Sequence, residues 1–282
     1  MRNILILAII LLCSVTTFSQ EYVDPEYNKV LDTSRYVITY EAIMTQDSLN
    51  PDEKEYDRII LEIGNNLSRS YSYRLFQYDS LCKTYFDKGR NEYPSPRLLI
   101  LPVDVYKYFF ENKMVVLHRT PLIGPIIQYS EEKNLFKWEM TDEKKDIIGF
   151  VCTKATCEFR GRNWTVWFTT ELPVSDGPWK FNGLPGLILK AEDDKGHYSF
   201  VCIGINNTKS PIVIMDKYTY EKESRKTVME FEQLYYEAQY DYFRKINPGY
   251  PLMRKNPKTK SFEEVVDSEK GPSSPYNPIE LE

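Results

Sequence analysis

Apolar and polar residues alternate in short segments along most of this chain, which is the pattern of half-buried β-strands. In the first half of the sequence, the alternation predicts strands at 37–45, 58–64, 67–74, 105–110, 114–118, 126–129 and 135–140. The last four segments form two predicted hairpins, because a short polar stretch separates the members of each pair. Residues 75–86 carry mixed signals and predict a short helix.

Two further hairpins are predicted in the second half, at 149–159 with 164–172 and at 187–192 with 197–205. The first has RGRN between its strands, and Gly161 as the first tip residue predicts a type II′ turn. The resulting register sets Phe159 opposite Trp164 and gathers the alternate apolar residues of both strands on one core face. Trp167 falls on the opposite face of this hairpin.

One long helix is predicted at 218–246, where apolar residues recur at helical spacing and form one apolar face. An Asn-Pro-Gly sequence at 247–249 ends it. Residues 247–282 are rich in Pro, Lys and Ser and are predicted to be irregular. Because strands dominate, we expect a mainly β (α+β) fold: an antiparallel, strongly curved sheet or open β-barrel, with the long helix packed on it.

The first residues, MRNILILAIILLCSVTTFSQ, have the layout of a secretory signal peptide, with a basic residue, a short apolar run and small polar residues before a cleavage site. The apolar run is too short to span a bilayer, which takes about 20 residues. A lipoprotein signal would acylate Cys13, but Leu12 stands where such signals have a small residue. We predict that residues 1–19 are removed after Ser19 and that the chain is exported to the periplasm, free or associated with the outer membrane. Residues 20–246 then form one domain and 247–282 its tail.

Charge argues against a nucleic-acid partner. The net charge is −5, and the 36 basic and 41 acidic residues are interspersed, so no polybasic stretch is available to contact phosphates. After the signal peptide, no segment of the sequence is apolar enough to cross a membrane as a helix. The 22 tyrosines suit a half-buried sheet better than a helical bundle.

Four cysteines remain after the predicted cleavage: Cys82, Cys152, Cys157 and Cys202. An even number of cysteines in an exported chain favours disulfides. Cys152 and Cys157 lie on one predicted strand about 17 Å apart, which exceeds the roughly 7 Å that a disulfide allows. Two pairings stay open, Cys82–Cys152 with Cys157–Cys202 or Cys82–Cys157 with Cys152–Cys202. The alternative is that some of the thiols are simply buried.

The densest run of glycine and proline is GPWKFNGLPGLILK at 177–190. Together with the rest of the sequence from Trp138 to Phe200, it resembles the GLPGLI family of exported Bacteroidetes proteins, whose name-giving motif is intact here. The motif residues are Gly183, Leu184, Pro185, Gly186, Leu187 and Ile188. The resemblance implies a Bacteroidetes cell-envelope protein. Since members are often encoded near outer-membrane transporter genes, it also points to transporter components as partners, and it implies no particular reaction.

Its residues alone predict that this stretch is a structural corner that turns the chain back into the core. Two of its glycines flank the Leu-Pro pair, and glycine permits a positive φ or a close backbone approach. The stretch lacks the Lys-Ser/Thr of a phosphate loop and any embedded nucleophile. In the alternative interpretation, the corner also forms the rim of a binding site and exposes its aromatic residues. The predicted ligand or partner surface then consists of Trp167, Trp179 and Phe181.

No residue pattern in the sequence marks a catalytic or metal site. The two histidines, His118 and His197, lie in no recognisable triad or HExxH motif, and the cysteine spacing does not match a zinc knuckle. Acidic pairs, such as Glu171 with Asp176 and Asp193 with its neighbour, are interpreted as solvent-exposed turn residues. We therefore predict no catalytic residues, no metal and no cofactor.

Three functions remain open on the sequence. The first is a non-catalytic envelope protein that binds a hydrophobic or peptide ligand in the concave sheet, or docks an outer-membrane partner. The second is a hydrolase with an unrecognised active site, which requires His118 or His197 to lie in a cleft beside a Ser, Thr or carboxylate. The third is an envelope structural or assembly role for the tail, which predicts that removing residues 276–282 abolishes a specific pull-down while leaving the fold intact.

Overall fold

The computed structural model describes residues 28–90, 101–120, 125–215, 219–256 and 258–282. The predicted signal peptide lies outside the described residues. Within them, none of the helices is both long enough and apolar enough to cross a membrane.

The strands of the described part are β1 (Asn28–Thr33), β2 (Tyr36–Thr45), β3 (Lys54–Ile63), β4 (Leu67–Ser72), β5 (Val103–Tyr108), β6 (Lys113–Arg119), β7 (Ile126–Glu131), β8 (Glu139–Ile147), β9 (Phe150–Phe159), β10 (Arg162–Thr169), β11 (Leu187–Asp193), β12 (Tyr198–Asn206), β13 (Pro211–Met215), β14 (Glu221–Lys222), β15 (Met253–Lys255) and β16 (Phe262–Glu264). The helices are α1 (Tyr73–Asp87), α2 (Arg225–Glu237) and α3 (Gln239–Ile246).

Twelve of these strands form one large sheet in the order β14-β7-β6-β5-β4-β3-β2-β12-β11-β10-β9-β8. Neighbours are antiparallel except β14 and β7, which are parallel, so the sheet is mixed and the predicted antiparallel arrangement fails only at this edge. The prediction of a mainly β fold is confirmed. Among the described residues, β14 and β8 remain separate edges, so the sheet does not close into a barrel.

The large sheet is strongly curved. Arg160, in the turn between β9 and β10, pairs with Glu131 at the end of β7. Seven strands lie between β7 and β10, which would separate them by about 40 Å if the sheet were flat. The ion pair therefore requires the two ends of the sheet to curl towards each other, and the apolar faces of the strands enclose one core.

Strand β2 shows how alternation builds this core. Ile38, Tyr40, Ala42 and Met44 are buried, and the alternation places them on one face of the strand. The hydroxyl group of Tyr40 donates a hydrogen bond to the carbonyl oxygen of Ile188 at 2.9 Å. The polar atom on the core face is therefore satisfied, as buried polar groups require.

The hairpin of β9 and β10 has the predicted core face but a different register and turn. Trp164 lies opposite Cys157 rather than Phe159, a shift of two residues that keeps the same side chains on the core face. The tip residues are Arg160 and Gly161, with φ of 49° and 76°. Positive φ at both positions is a type I′ turn rather than the predicted II′, and its twist matches that of the strands.

The predicted hairpin of 126–129 with 135–140 is wrong. Strand β7 pairs with β6 and β14, whereas β8 pairs with β9 at the other end of the sheet. In the segment between them, Lys133 donates to the carbonyl oxygen of Tyr108 at 2.7 Å, and Phe136 enters the core. The polar residues that resemble a turn in the sequence are therefore a connection from one end of the sheet to the other.

The long predicted helix is two helices, α2 and α3, separated at Ala238. Helix α2 begins later than predicted, after Ser224, whose side chain accepts a hydrogen bond from the amide of Thr227. Ala238 has φ of −151° and ψ of 77°, and the amide of Tyr240 donates to the carbonyl oxygen of Lys270. Amides that a continuous helix would bond internally are thus bonded to the returning chain instead.

Residues 247–275 are less irregular than predicted. Strands β15 and β16 pair as a short antiparallel hairpin. Leu252 and Val265 pack against Tyr240 and Phe243 of α3 in a small separate core. Residues 276–282, called the tail segment below, then return to the large sheet.

The disulfide prediction is wrong, because all four cysteines are free thiols. Cys82 lies on α1, Cys152 and Cys157 lie on β9, and Cys202 lies on β12. Burial raises the pKa of Cys157 to about 12 and that of Cys202 to about 11, so these thiols behave as buried apolar groups.

We expect the thiols of the folded chain to react with DTNB at least about tenfold more slowly than those of the unfolded chain, since the reactive thiolate is scarce when the pKa is raised. The absorbance time course at pH 8, with and without urea, measures both rates. A Cys82→Ser variant serves as the control and should lower the count of thiols in urea by one. If urea exposes no reactive thiol at these four positions, the cysteines are paired and this assignment is wrong.

Candidate functional site

The motif corner, residues 176–188, runs inside the curve of the sheet rather than along its rim. Trp179 and Phe181 are 2% and 0% exposed, so they do not form the exposed aromatic surface that the sequence predicts. Phe181 packs edge-on against Trp164 with ring centroids 4.8 Å apart, and against Phe136 at 5.3 Å. The large rings fill the core because this packing removes more apolar area from water than a rim would.

The space beside the corner is packed as an ordinary protein interior. The gap that Trp179 shares with Ile59, Tyr71 and Val103 is too narrow for a water molecule. Buried side chains from both halves of the sheet occupy the same core as the corner. In the described part of the chain, this region therefore has no space for an internal ligand.

Lys107 of β5 holds the corner from inside. Its ammonium group donates to the carbonyl oxygens of Gly177 at 2.6 Å, Trp179 at 3.1 Å and Phe181 at 3.3 Å. The same group pairs with the carboxylate of Asp176. Burial lowers the pKa of Lys107, and the neighbouring Asp176 opposes that shift. The lysine thus supplies donors to buried carbonyl groups that belong to no helix or strand.

Two glycines of the motif are required by the backbone. Gly183 has φ of +97°, a conformation that residues with a side chain rarely adopt. At Gly186, a Cβ atom would overlap the carbonyl oxygen of Thr169 in β10. The corner therefore passes directly against the sheet before residues 187–189 enter β11 as buried positions.

Lys180, also in the corner, is the centre of a buried ion-pair network. Its ammonium group lies 2.6 Å from Glu131 of β7 and 2.5 Å from Glu280 of the tail segment. It also donates to the hydroxyl oxygen of Tyr129 at 3.2 Å. Burial alone lowers the pKa of Lys180, but Tyr129, Glu280 and Glu131 outweigh burial and raise the pKa, so the lysine stays charged.

Two arginines complete this network. Arg160 pairs with both Glu131 and Glu280, and Arg225 of α2 lies 2.9 Å from Glu280. Burial raises the pKa of Glu131, but Lys180 and Arg160 outweigh burial and hold the pKa below its ordinary value of 4.5. The network therefore connects β7, the turn between β9 and β10, the motif corner, α2 and the tail segment.

Arg162, the first residue of β10, holds the tail segment in place. Its guanidinium group donates to the side-chain oxygen of Asn277 at 2.7 Å. It also donates to the carbonyl oxygens of Pro278 and Ile279. The charge of Arg162 is balanced by the buried Asp193, 2.7 Å away. The tail segment is thus bound through its main chain and through one amide side chain.

The acids that the sequence predicts to be solvent-exposed turn residues differ in their burial. Asp176 and Asp193 are 1% and 3% exposed and pair with Lys107 and Arg162, so the prediction is wrong for these two. Glu171 is exposed, as predicted. Within the described ranges, no group of three or more His, Cys, Asp or Glu side chains is placed to hold a metal ion.

Of the two histidines, His118 has the carboxylate neighbour that a hydrolase site requires. Its Nε2 atom lies 3.2 Å from Glu232 of α2, though without the alignment of a hydrogen bond. Burial raises the pKa of Glu232, but His118 and a hydrogen bond from Tyr276 outweigh burial and lower it. His118 is 4% exposed, so the pair is enclosed rather than placed in a cleft. His197 lies 3.5 Å from Arg162.

Trp167 is the one residue of the predicted surface that remains half-buried. It packs partly against the main core, and the ammonium group of Lys145 lies 5.7 Å from its ring centre. Its role as a ligand or partner contact stays a prediction.

Three buried cations, Lys107, Arg162 and Lys180, are not predicted from the sequence. For Lys107 and Arg162, the alternation of polar and apolar residues in the sequence contains a signal of burial. Lys107 is two residues from the buried Val105, and Arg162 is two residues from the buried Trp164, so each cation shares a core face. A charged residue in phase with buried apolar positions indicates a buried ion pair. Lys180 lies outside any strand and gives no such signal.

A family model, Porph_ging, described as a protein of unknown function, matches residues 160–190. The matched residues run from the turn between β9 and β10 into β11 and include the whole motif. They are 31 of the 282 residues (160 to 190 inclusive), which is a partial likeness to that family. No curated protein matches the sequence.

Two solved structures of PNGF-II show a distant likeness. The structure in the C2 space group has 16% sequence identity and a TM-score of 0.48, and the structure in the P21 space group has 15% and 0.46. Each match covers 71% of this chain and 32% of the PNGF-II chain, so this chain spans about a third of their length. At this level of similarity the likeness carries no functional information.

Gly186→Ala should keep the corner from lying against β10, because the added Cβ would overlap the carbonyl oxygen of Thr169. We expect the free energy of unfolding to fall by about 3 kcal/mol. Urea denaturation followed by tryptophan fluorescence measures the loss. The matched control is Gly196→Ala, because a Cβ atom at this position meets nothing within 4 Å. Only the positive φ of +65° is then unfavourable, and the free energy of unfolding should fall by about 1 kcal/mol. Equal losses would show that the close approach is unimportant.

Glu280→Ala should leave Lys180 and its arginines with one buried carboxylate, and we expect a loss of about 3–5 kcal/mol in the free energy of unfolding. Glu282→Ala removes the same charge at an exposed position of the tail segment and should change stability by less than about 0.5 kcal/mol. Urea denaturation of both variants makes the comparison. If neither variant changes the free energy of unfolding, the tail segment does not stabilise the fold, as the assembly hypothesis requires.

Proposed function

We propose that this protein is a non-catalytic protein of the bacterial cell envelope that binds another protein on its outer surface. The observation that carries the proposal is the packed corner, because Trp179 and Phe181 occupy the place where an internal ligand would bind. A carrier of a hydrophobic molecule needs a cavity of about 300 Å³ or more. Export is supported by the signal-peptide pattern, and the envelope location by the resemblance to the GLPGLI family.

Among the described residues, one exposed apolar side chain lies on a strained backbone, in the turn between β8 and β9. Its tip residues, Ile148 and Gly149, have φ of 48° and 86°. A positive φ is unfavourable for a β-branched residue, by about 1–3 kcal/mol, and Asn is the common choice at the first position. The side chain of Ile148 is 46% exposed, so packing within this chain compensates little of that strain. A partner that covers Ile148 would account for an isoleucine here.

The hairpin around this turn supports contact through side chains rather than through an added strand. Val151 and Met140 are 59% and 61% exposed. The edge strand β8 carries six charged residues among its nine and is irregular between Met140 and Lys144. Charges and bulges on an edge strand block pairing with another strand. The hairpin tip, Ile148 with Val151, therefore remains as the apolar contact.

The partner that fits the hairpin tip is a protein with an apolar pocket, since a few buried apolar anchors dominate such contacts. The charged residues of β8 flank the tip in the way that a polar rim surrounds the centre of a protein interface. The family resemblance supports outer-membrane transporter components as the class of partner.

The two alternative functions have less support. A hydrolase needs a histidine open to substrate, and His118 beside Glu232 is enclosed. An assembly role needs the tail segment to face a partner, whereas Asn277 and Glu280 are 8% and 3% exposed and face their own chain.

Ile148→Asn is expected to raise the free energy of unfolding and to weaken partner binding. Asparagine adopts a positive φ readily, so the free energy of unfolding should rise by about 1 kcal/mol. The same change removes the apolar side chain from the hairpin tip, so the amount of cross-linked partner recovered from intact cells should fall about tenfold or more. Chemical cross-linking with quantitative mass spectrometry identifies and measures the partner.

The control for this experiment is Leu49→Asn, because Leu49 is 88% exposed in the loop between β2 and β3. It should leave the cross-linked partner unchanged. If Ile148→Asn also leaves it unchanged, the hairpin tip is not the docking surface. A loss of stability in Ile148→Asn would instead make Ile148 an ordinary packing residue.

A further inference from the structure

The tail segment lies in a groove built from the turn between β9 and β10, the motif corner, β12 and α2. We propose that this groove is a peptide-binding site and that the tail segment is its resident ligand. The peptide it takes in trans is extended and carries an asparagine followed, three residues later, by a carboxylate side chain. This site is separate from the hairpin tip, and the inference goes beyond the proposed function.

The groove binds the main chain of its ligand with side chains that are themselves buried. Arg162 donates to the carbonyl oxygens of Pro278 at 2.5 Å and Ile279 at 3.1 Å. The hydroxyl group of Tyr198 donates to the carbonyl oxygen of Asn277 at 2.8 Å. Arg162 and Tyr198 are each 2% exposed, so these donors are held in position by the core. Main-chain contacts of this kind fix an extended peptide and give affinity.

Two side chains of the ligand are recognised individually. The amide of Asn277 accepts a hydrogen bond from Arg162 at 2.7 Å and donates one to the carbonyl oxygen of Thr45 at 2.6 Å. A carboxylate at this position has no N–H to donate, so Asp would lose one of the two bonds. Glu280 meets the ammonium group of Lys180 at 2.5 Å. The distance between the amide site and the cation site sets the spacing of three residues.

The positive charges that line the groove require a ligand that carries a negative charge. Without Glu280, three cations (Lys180, Arg160 and Arg225) face one carboxylate, Glu131, which leaves an excess of two positive charges. Uncompensated charge away from water is strongly unfavourable. Any peptide that replaces the tail segment must therefore bring a carboxylate to the position of Glu280.

The tail segment can leave without breaking the sheet. It forms no strand, and groove side chains make most of its contacts, so no ladder of hydrogen bonds is lost. Residues 271–275, which precede it, are exposed. A tethered segment of this kind competes with a free peptide at a local concentration on the order of millimolar. A peptide in trans can therefore enter when the resident segment is weakened or when the peptide binds more tightly.

The test weakens the resident segment in the full chain and supplies the peptide in trans. Glu280→Gln removes the carboxylate while keeping the size of the side chain. A fluorescently labelled peptide, YNPIELE, is then titrated by fluorescence anisotropy. We expect the E280Q chain to bind it at least about tenfold more tightly than the wild-type chain, whose own segment occupies the groove. The peptides YNPIQLE and YAPIELE should each bind about tenfold more weakly than YNPIELE.

Glu282→Gln is the matched control, because it removes one carboxylate from an exposed position of the same segment. In the Glu282→Gln chain the tail segment still occupies the groove, so peptide binding should equal that of the wild-type chain. Two results would overturn the proposal: a folded E280Q chain that binds no YNPIELE at millimolar peptide, or one that binds YNPIELE and YNPIQLE equally well.

A second route covers the case in which E280Q does not fold. A protease site between the exposed Ser273 and Ser274 of the otherwise wild-type chain allows the protein to fold first and to be cut afterwards. Native mass spectrometry then follows exchange of the cut segment for labelled YNPIELE. A cut segment that stays bound and never exchanges would count against a peptide-binding site. Neither route involves the hairpin tip, so failure here leaves the cross-linking result on the proposed function unaffected.

Discussion

The fold depends on one buried positive charge, the ammonium group of Lys180. This group stays charged away from water because Glu131 and Glu280 lie against it. One carboxylate comes from near one end of the large sheet and the other from the tail segment, while Arg160 reaches the same point from near the opposite end. Compensating this charge therefore brings the two ends of the sheet, the motif corner and the tail segment to a single place. Apolar packing stabilises the core, and the ion pairs define how far the sheet must curl.

The motif corner has strict backbone requirements that follow from the way it is packed. Its glycines, its left-handed Trp179 with φ of 52° and its string of buried carbonyl groups need support from outside the segment. Lys107 supplies that support, and the aromatic rings of the corner complete the core. Because the interior is used in this way, the two binding features that we propose lie outside it. These are the hairpin tip, where an isoleucine is strained, and the tail groove, where cations outnumber carboxylates.

The sequence was informative where local rules act alone. Alternation located β2 and the hairpins of β9 with β10 and β11 with β12, and a register error of two residues kept every side chain on its correct face. Contacts between distant parts of the chain were not visible in it. The break at Ala238 depends on carbonyl groups far downstream, and the burial of Trp179 depends on how tightly the sheet curls. The cysteine pairings failed for the same reason, since the number of cysteines does not show which thiols the core buries unpaired.

The position of Glu280 in the sequence also sets the order in which the fold can be completed. The strands and the corner are synthesised well before the tail segment. Until Glu280 arrives, Lys180 and the two arginines lack their second carboxylate, and the curled sheet encloses uncompensated charge. The counter-charge that lets the curled sheet close is thus synthesised after every described strand of the large sheet.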